Sequence, residues 1–141
     1  MTILLLESLH AEAEALLAAA GPLVRAQDPN HPDCDFARVR AIVTRGRGRI
    51  PDALLARCPQ LCVVARAGVG LDNLDTAAAA RRGIPVVFAP GGNALTVAEH
   101  TLALILDLVR RITRSANQVK AGRWEDRAHY QGNEIRGLTL G

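Results

Sequence analysis

Aromatic residues make up only 3% of the 141-residue chain, one Trp, one Tyr and two Phe, which leaves few platforms on which single-stranded bases could stack. Lysine is nearly absent as well. Of the 17 basic residues Lys120 is the single Lys and the other 16 are Arg, a bias that tracks genome composition more than chemistry. The formal net charge of +3 suits an anionic small ligand but does not demand one. Cysteines number three, at Cys34, Cys58 and Cys62, an odd set that matches no common zinc or redox spacing and reads as reduced thiols of a cytoplasmic protein. No apolar run approaches the roughly eighteen residues of a membrane span. The start, Met1 to Glu7, has no basic stretch and meets an acid after four apolar residues, unlike a signal peptide.

What is present is the composition of a soluble domain, 49% apolar and 22% charged. A chain of this length buries roughly two-thirds of the surface its unfolded form exposes, so a core forms without disulfides or metal. It has room for one ordinary domain and not two.

Short apolar runs at Ile3 to Leu6, Leu23 to Ala26, Ala41 to Thr44, Leu61 to Ala65 and Pro85 to Phe88 alternate with helical segments. That alternation predicts buried parallel strands joined by crossover helices. Ser8 is placed to cap a first helix that ends before Gly21-Pro22, with Glu12 and Glu14 on its solvated face. Residues 27–35 hold Pro29, Asn30 and Pro32 and read as a loop. Pro51 suits the first turn of a helix through Arg57, and Asp75 caps one that stops at Gly83. The expected fold is α/β, a flavodoxin-like five-stranded parallel sheet in order 2-1-3-4-5.

Beyond the fifth strand, Thr96-Val-Ala-Glu99 has the form of a capping box. Apolar residues then recur at Ala98, Leu102, Ile105, Leu106, Val109, Ile112 and Ala116, which predicts one long helix to about Lys120. Arg110, Arg111 and Arg114 near its end match the helix dipole. Residues 121–141 read as an extended arm, with Leu138-Thr-Leu140 opening a strand. The expected organisation is a sheet domain at 1–95, the long helix at 96–120, and a tail at 121–141.

Three strand ends carry candidate chemistry. The loop Arg66-Ala-Gly-Val-Gly-Leu-Asp-Asn73 leaves a strand end, where α/β folds bind ligands. Gly68 and Gly70 allow close backbone approach, successive amides cradle a carboxylate, and Arg66 adds a fork of donors. As a dinucleotide fingerprint it fails, with Asn73 where the third Gly belongs. The run Thr44-Arg-Gly-Arg-Gly-Arg49 follows one strand, and Asn93 stands at the mouth of another. Together Arg45, Arg47, Arg66 and Asn93 suit a small polyanion such as a phosphorylated carboxylate, although Arg45, Arg47 and Arg49 read in isolation are an exposed basic loop. His100 follows Glu99 on a helix, where neighbours point apart, so it is read as a packed histidine. His10, His31 and His129 have no evident partner in the sequence.

The stretches Ala65-Arg-Ala-Gly-Val-Gly-Leu-Asp-Asn-Leu-Asp75, Arg82-Gly-Ile-Pro-Val-Val-Phe-Ala-Pro90, Gly92-Asn-Ala-Leu-Thr-Val-Ala-Glu-His-Thr101 and Lys120-Ala-Gly-Arg-Trp124 closely resemble the D-isomer-specific 2-hydroxyacid dehydrogenases. The likeness is strongest to members acting on phosphoglycerate. It implies a flavodoxin-type substrate domain interrupted by a Rossmann domain that binds NAD. It further implies that Arg66, Ala67, Gly68, Val69 and Gly70 hold the substrate carboxylate by their amides, that Asn93 lines the cleft, and that Arg45 and Arg47 meet the phosphate. Thr96 and Val97 would lie near the nicotinamide, and the long helix would join a homodimer interface.

The family's Gly-x-Gly-x-x-Gly, its acidic ribose reader and its catalytic Arg, Glu and His have no counterparts in these 141 residues. The expectation is therefore the substrate-binding part of an NAD-dependent, cytoplasmic oxidoreductase, inactive as this chain alone and not holding NAD tightly. Its ligand would be a small anionic 2-hydroxy or 2-oxo acid, with no nucleic acid or membrane partner. A non-catalytic ligand-binding or oligomerisation module is the alternative, and nucleic-acid binding through the Arg-rich loop a third reading.

Overall fold

The computed structural model describes residues 2–141, and the chain divides into two units, Met1–Gly92 and Asn93–Gly141. The first unit holds strands β1 (Thr2–Leu5), β2 (Leu23–Arg25), β3 (Val39–Thr44), β4 (Val63–Arg66) and β5 (Val86–Phe88). All are parallel, in the order β2-β1-β3-β4-β5 that the sequence predicts. Helices α1 (Ala11–Ala20), α2 (Asp52–Arg57) and α3 (Thr76–Arg81) connect them, with a 3-10 turn at Phe36–Arg38.

The central strands β1, β3 and β4 are largely apolar because both faces of the sheet are packed there, whereas Val87 and Phe88 of the edge strand β5 stay exposed. Leu4, Ile42 and Val64 point to one face, where they pack with Leu54 and Leu55 of α2 and Ala78 and Ala79 of α3. Ile3, Leu5, Ala41 and Val43 point to the other, against Leu9 and Leu17. The Asp75 carboxylate accepts from the Ala78 amide at 2.8 Å and caps α3 as expected. Gly83, at φ +66°, supplies the left-handed residue that ends that helix. Arg82 pairs with Asp52 and ties α3 to α2.

Three local expectations fail in this unit. Ser8 caps nothing: α1 starts at Ala11, with His10 as its boundary residue and no side-chain cap. Glu14 takes over, its carboxylate accepting from the Leu9 amide at 2.9 Å and from Arg25 Nη2 at 2.6 Å. It is a partner of β2 and not a solvated face, and Arg25 beside it, with the Leu9 amide, holds its carboxyl below the usual range. Pro51 is the boundary residue of α2 and stands just before its first turn.

The second unit begins with α4 (Ala94–Arg110), and its start two residues before Thr96 places Thr96 and Glu99 inside the helix, so the capping box does not form. Nor is there one long helix. Arg111 adopts a left-handed backbone, φ 54° and ψ 39°, and α5 (Ile112–Lys120) starts anew beyond it. That conformation costs a side-chain-bearing residue roughly 1–2 kcal/mol. Offsetting bonds surround it: the Thr113 amide donates to Asp107 Oδ1 at 2.7 Å, and the Asn133 amide donates to the Val109 carbonyl at 2.9 Å.

The tail folds back within this unit and does not extend. Trp124–Tyr130 winds into 3-10 turns, and Tyr130 is buried with its hydroxyl donating to the Arg123 carbonyl at 3.1 Å. Leu138 to Leu140 form no strand among the described residues; they border, with Ile135, a hollow of about 380 Å³ facing Leu102, Ile105 and Leu108. No described helix is long and apolar enough to cross a membrane.

Candidate functional site

At the carboxyl edge of the sheet the loops after β1, β3 and β4 meet. Glu7, the second residue past β1, places Oε1 among four successive amides of the β3 loop: Arg45 at 3.0 Å, Gly46 at 2.9 Å, Arg47 at 2.8 Å and Gly48 at 2.8 Å. The hydroxyl of fully buried Thr44 lies 3.1 Å from the same oxygen. Burial pushes the Glu7 carboxyl up, but the amides of Gly48, Arg45, Arg47 and Gly46 outweigh it and hold the group at about 2. Four convergent amides form the kind of concavity that binds anions, and here the chain supplies the anion itself.

Asn73 joins the β3 and β4 loops, its side-chain amide donating to the Gly48 carbonyl at 2.7 Å. Backbone bonds reinforce the junction, from Ala67 to the Thr44 carbonyl at 2.8 Å and from Ile50 to the Asn73 carbonyl at 2.8 Å. A β-carbon on Gly48 would come within 2.9 Å of the Leu6 side chain and of Thr44 Oγ1, so that residue must be small.

The Arg66 guanidinium folds back over the turn and fills the space beside Gly68. Its Nε is buried with no protein partner. The Ala67 amide is spent on Thr44 and the Gly68 amide on the Arg66 carbonyl at 2.9 Å, whereas no acceptor among the described residues takes the amides of Val69 and Gly70. Of the five amides from Arg66 to Gly70, those of Val69 and Gly70 are thus left without an acceptor among the described residues, beside the Arg66 guanidinium.

Arg45 and Arg47 are exposed, since their backbone faces Glu7 and their side chains face away. Both border an open hollow of about 440 Å³ at the ends of β1 and β2, with Gln27 and Pro29 opposite. Arg45 also borders a second hollow of about 530 Å³, shared with Ala67, Ser8 and His10. Asn93, Thr96 and Val97 belong to the second unit, where Asn93 is the boundary residue of α4 and all three are exposed.

His31 is not partnerless: its Nδ1 lies 2.9 Å from Asp28 Oδ2 on the exposed loop after β2. His100 is exposed on α4 and is not packed. Among the described residues no group of His, Cys, Asp and Glu is arranged to hold a metal ion. Sequence reasoning missed Glu7, Thr44 and Asn73. The available signal was an acid directly following an apolar strand, opposite a loop of alternating Arg and Gly.

A family model for the D-isomer-specific 2-hydroxyacid dehydrogenase catalytic domain matches residues 3–139. The chain is 43% identical over 107 residues to a D-3-phosphoglycerate dehydrogenase of Archaeoglobus fulgidus, a match covering 76% of this chain and 20% of that protein. It is 46% identical over 105 residues to an (S)-sulfolactate dehydrogenase of Chromohalobacter salexigens, covering 74% of this chain and 34% of the relative. The chain thus spans a fifth to a third of these relatives' lengths. Its fold matches that of a D-lactate dehydrogenase from Aquifex aeolicus, solved with NAD and lactic acid, at TM-score 0.86 and 24% identity, over 100% of this chain and 43% of that one. With its parallel sheet and a family match over nearly its whole length, this chain belongs to the D-isomer-specific 2-hydroxyacid dehydrogenases.

Proposed function

We propose that this chain is the substrate-binding part of an NAD-dependent dehydrogenase acting on the CH–OH group of a D-2-hydroxyacid that carries a second anionic group, 3-phosphoglycerate fitting best. The observation that carries this reading is the place of Arg45, which borders the hollow shared with Ala67 as well as the hollow shared with Arg47. The substrate carboxylate accepts from the Val69 and Gly70 amides and from Arg66, and the distal anion lies against Arg45 and Arg47. A ligand held at both ends presents its 2-carbon in one orientation, which is the contribution positioning makes to rate.

The residues of this chain do not fit a dinucleotide at the Gly68 turn. Asn73 stands where a third glycine would allow close helix packing, its side chain is engaged on Gly48, and α3 opens only at Thr76. Thr96 and Val97 are the positions the family resemblance offers for contact with the nicotinamide. We expect the 141-residue chain by itself not to oxidise NADH with 3-phosphohydroxypyruvate, and measurable turnover would overturn that part of the reading.

A sulfonate in place of the phosphate is the second reading, favoured by the 46% identity to the sulfolactate enzyme. Titration calorimetry with 3-phosphoglycerate and 3-sulfolactate, against wild type and Arg45→Ala, separates the two. The preferred ligand should lose about tenfold or more in affinity on removal of one charge-assisted partner. Binding of neither ligand to the wild-type chain overturns the substrate assignment. Homodimerisation through α4 is proposed on its apolar exposure, with Leu95, Leu102 and Leu108 at 74%, 59% and 79%. A monomer by light scattering at micromolar concentration contradicts it.

A further inference from the structure

We propose that Glu7 is the positioning residue of the distal-anion subsite: by gathering the four amides of the Arg45–Gly48 loop it turns the side chains of Arg45 and Arg47 outward into the hollow they border. The proposal rests on the reading of this edge as the substrate site and adds to it a residue that acts through the loop, although Glu7 also borders the hollow. One carboxylate oxygen accepts from all four amides within 2.8–3.0 Å, which fixes the backbone of every residue in the loop. With the amides facing inward, Arg45 and Arg47 are left exposed beside the hollow, which Glu7, Ser8, Arg25 and Gln27 also border.

The loop is held from below as well. Thr44 is fully buried and its hydroxyl lies 2.9 Å from the Gly48 carbonyl, which also accepts from Asn73. Glu7 and Asn73 thus grip the two sides of one peptide stretch, and Asn73 links it to the turn bearing Arg66. A free amide concavity of this shape would bind phosphate or sulfonate directly. Because Glu7 already fills it, an incoming anion is read by side chains, and its affinity depends on where the loop aims them. The amides keep the carboxylate ionised at every physiological pH, so the grip does not loosen on mild acidification.

The test compares two probes, 3-phosphoglycerate and D-glycerate, which differ only in the distal phosphate. Binding of each is measured by calorimetry to wild type, Glu7→Gln and Arg45→Ala/Arg47→Ala, and to the combination of all three substitutions. Glu7→Gln should weaken 3-phosphoglycerate about tenfold, the effect of misplacing one charge-assisted contact, while D-glycerate stays within about twofold. In the background lacking both arginines, Glu7→Gln should have no further effect, since coupled residues are not additive. If Glu7→Gln does not give a native circular dichroism spectrum, Glu7→Asp replaces it under the same criteria. Equal losses for the two probes, no loss, or an undiminished loss without the arginines overturns the role of Glu7 and leaves the substrate reading standing. Failure of the wild-type chain to bind 3-phosphoglycerate overturns both.

Discussion

The guanidinium of Arg66 lies over Gly68, in the space that a β-carbon on Gly68 would occupy. The obstructing group is the far end of a flexible side chain, but Gly68 itself sits at φ +159°, so Gly68→Ala both displaces the arginine and strains the turn. We expect urea unfolding to shift by about 1–3 kcal/mol, the cost of a side chain at a backbone conformation that favours glycine. Carboxylate affinity should also fall about tenfold as the guanidinium leaves the turn. Calorimetry beside the unfolding curve separates the two effects, and a stability loss with unchanged affinity would contradict the assignment.

Glu7 makes stability depend on pH. Its carboxyl sits at about 2 in the folded protein against an ordinary value of 4.5, so the folded state binds the proton less readily than the unfolded chain does. The stabilisation is complete above about pH 4.5 and is lost as pH falls toward 2. Allowing for the partial exposure of the group, its size is roughly 1–2 kcal/mol. The wild-type advantage over Glu7→Gln, followed by denaturant unfolding, should be constant from pH 7 to 5 and shrink below that.

Leu55 and Asp75 separate packing from capping on the same face of the sheet. Leu55 is 1% exposed, and Leu55→Ala should cost about 2–5 kcal/mol through lost burial and the cavity left behind. Asp75→Ala removes the acceptor of the Ala78 amide and should cost about 1 kcal/mol. Chemical unfolding midpoints rank the two, and an equal effect would mean that α3 is held by more than its cap and core contacts.

Gly132 passes so close to the backbone of Arg110 that an added β-carbon collides with it. Gly132→Ala should lift the tail from the end of α4 and free the Val109 carbonyl from the Asn133 amide. Amide exchange at Asn133 should speed up sharply while the amides of β1 and β3 are unaffected. Unaltered exchange at Asn133 would show that the close approach is relieved in some other way.

Features held within a few neighbouring residues were readable in the sequence. The apolar runs of β1 and β3, the Asp75 cap and the Gly83 stop each follow from local pattern, and the strand order follows from the crossover rule. Arg66 and Gly68 were legible because a glycine turn after a buried strand is itself a local signature. Glu7 was not, because its amide partners lie 38 to 41 residues away, and the acid after the apolar run of β1 gains meaning only once the sheet brings the 45–48 loop beside it. The break at Arg111 escaped for a similar reason. The apolar stripe continues through it unbroken, and the bond from Asn133 that stabilises it comes from 24 residues later than Val109. Glu14 looked solvated until β2 brought Arg25 against it.

The inward-facing amides of the 45–48 loop have a kinetic and entropic meaning. A loop that binds phosphate through free amides is ordered by its ligand, and the ordering of each residue, about 1–2 kcal/mol, is subtracted from affinity. Here Glu7 orders the loop when the chain folds, so under the proposed reading a ligand would meet a preformed backbone and immobilise chiefly the exposed Arg45 and Arg47 side chains. Association would then need no rearrangement of this backbone, and selectivity among anions would be decided by dissociation.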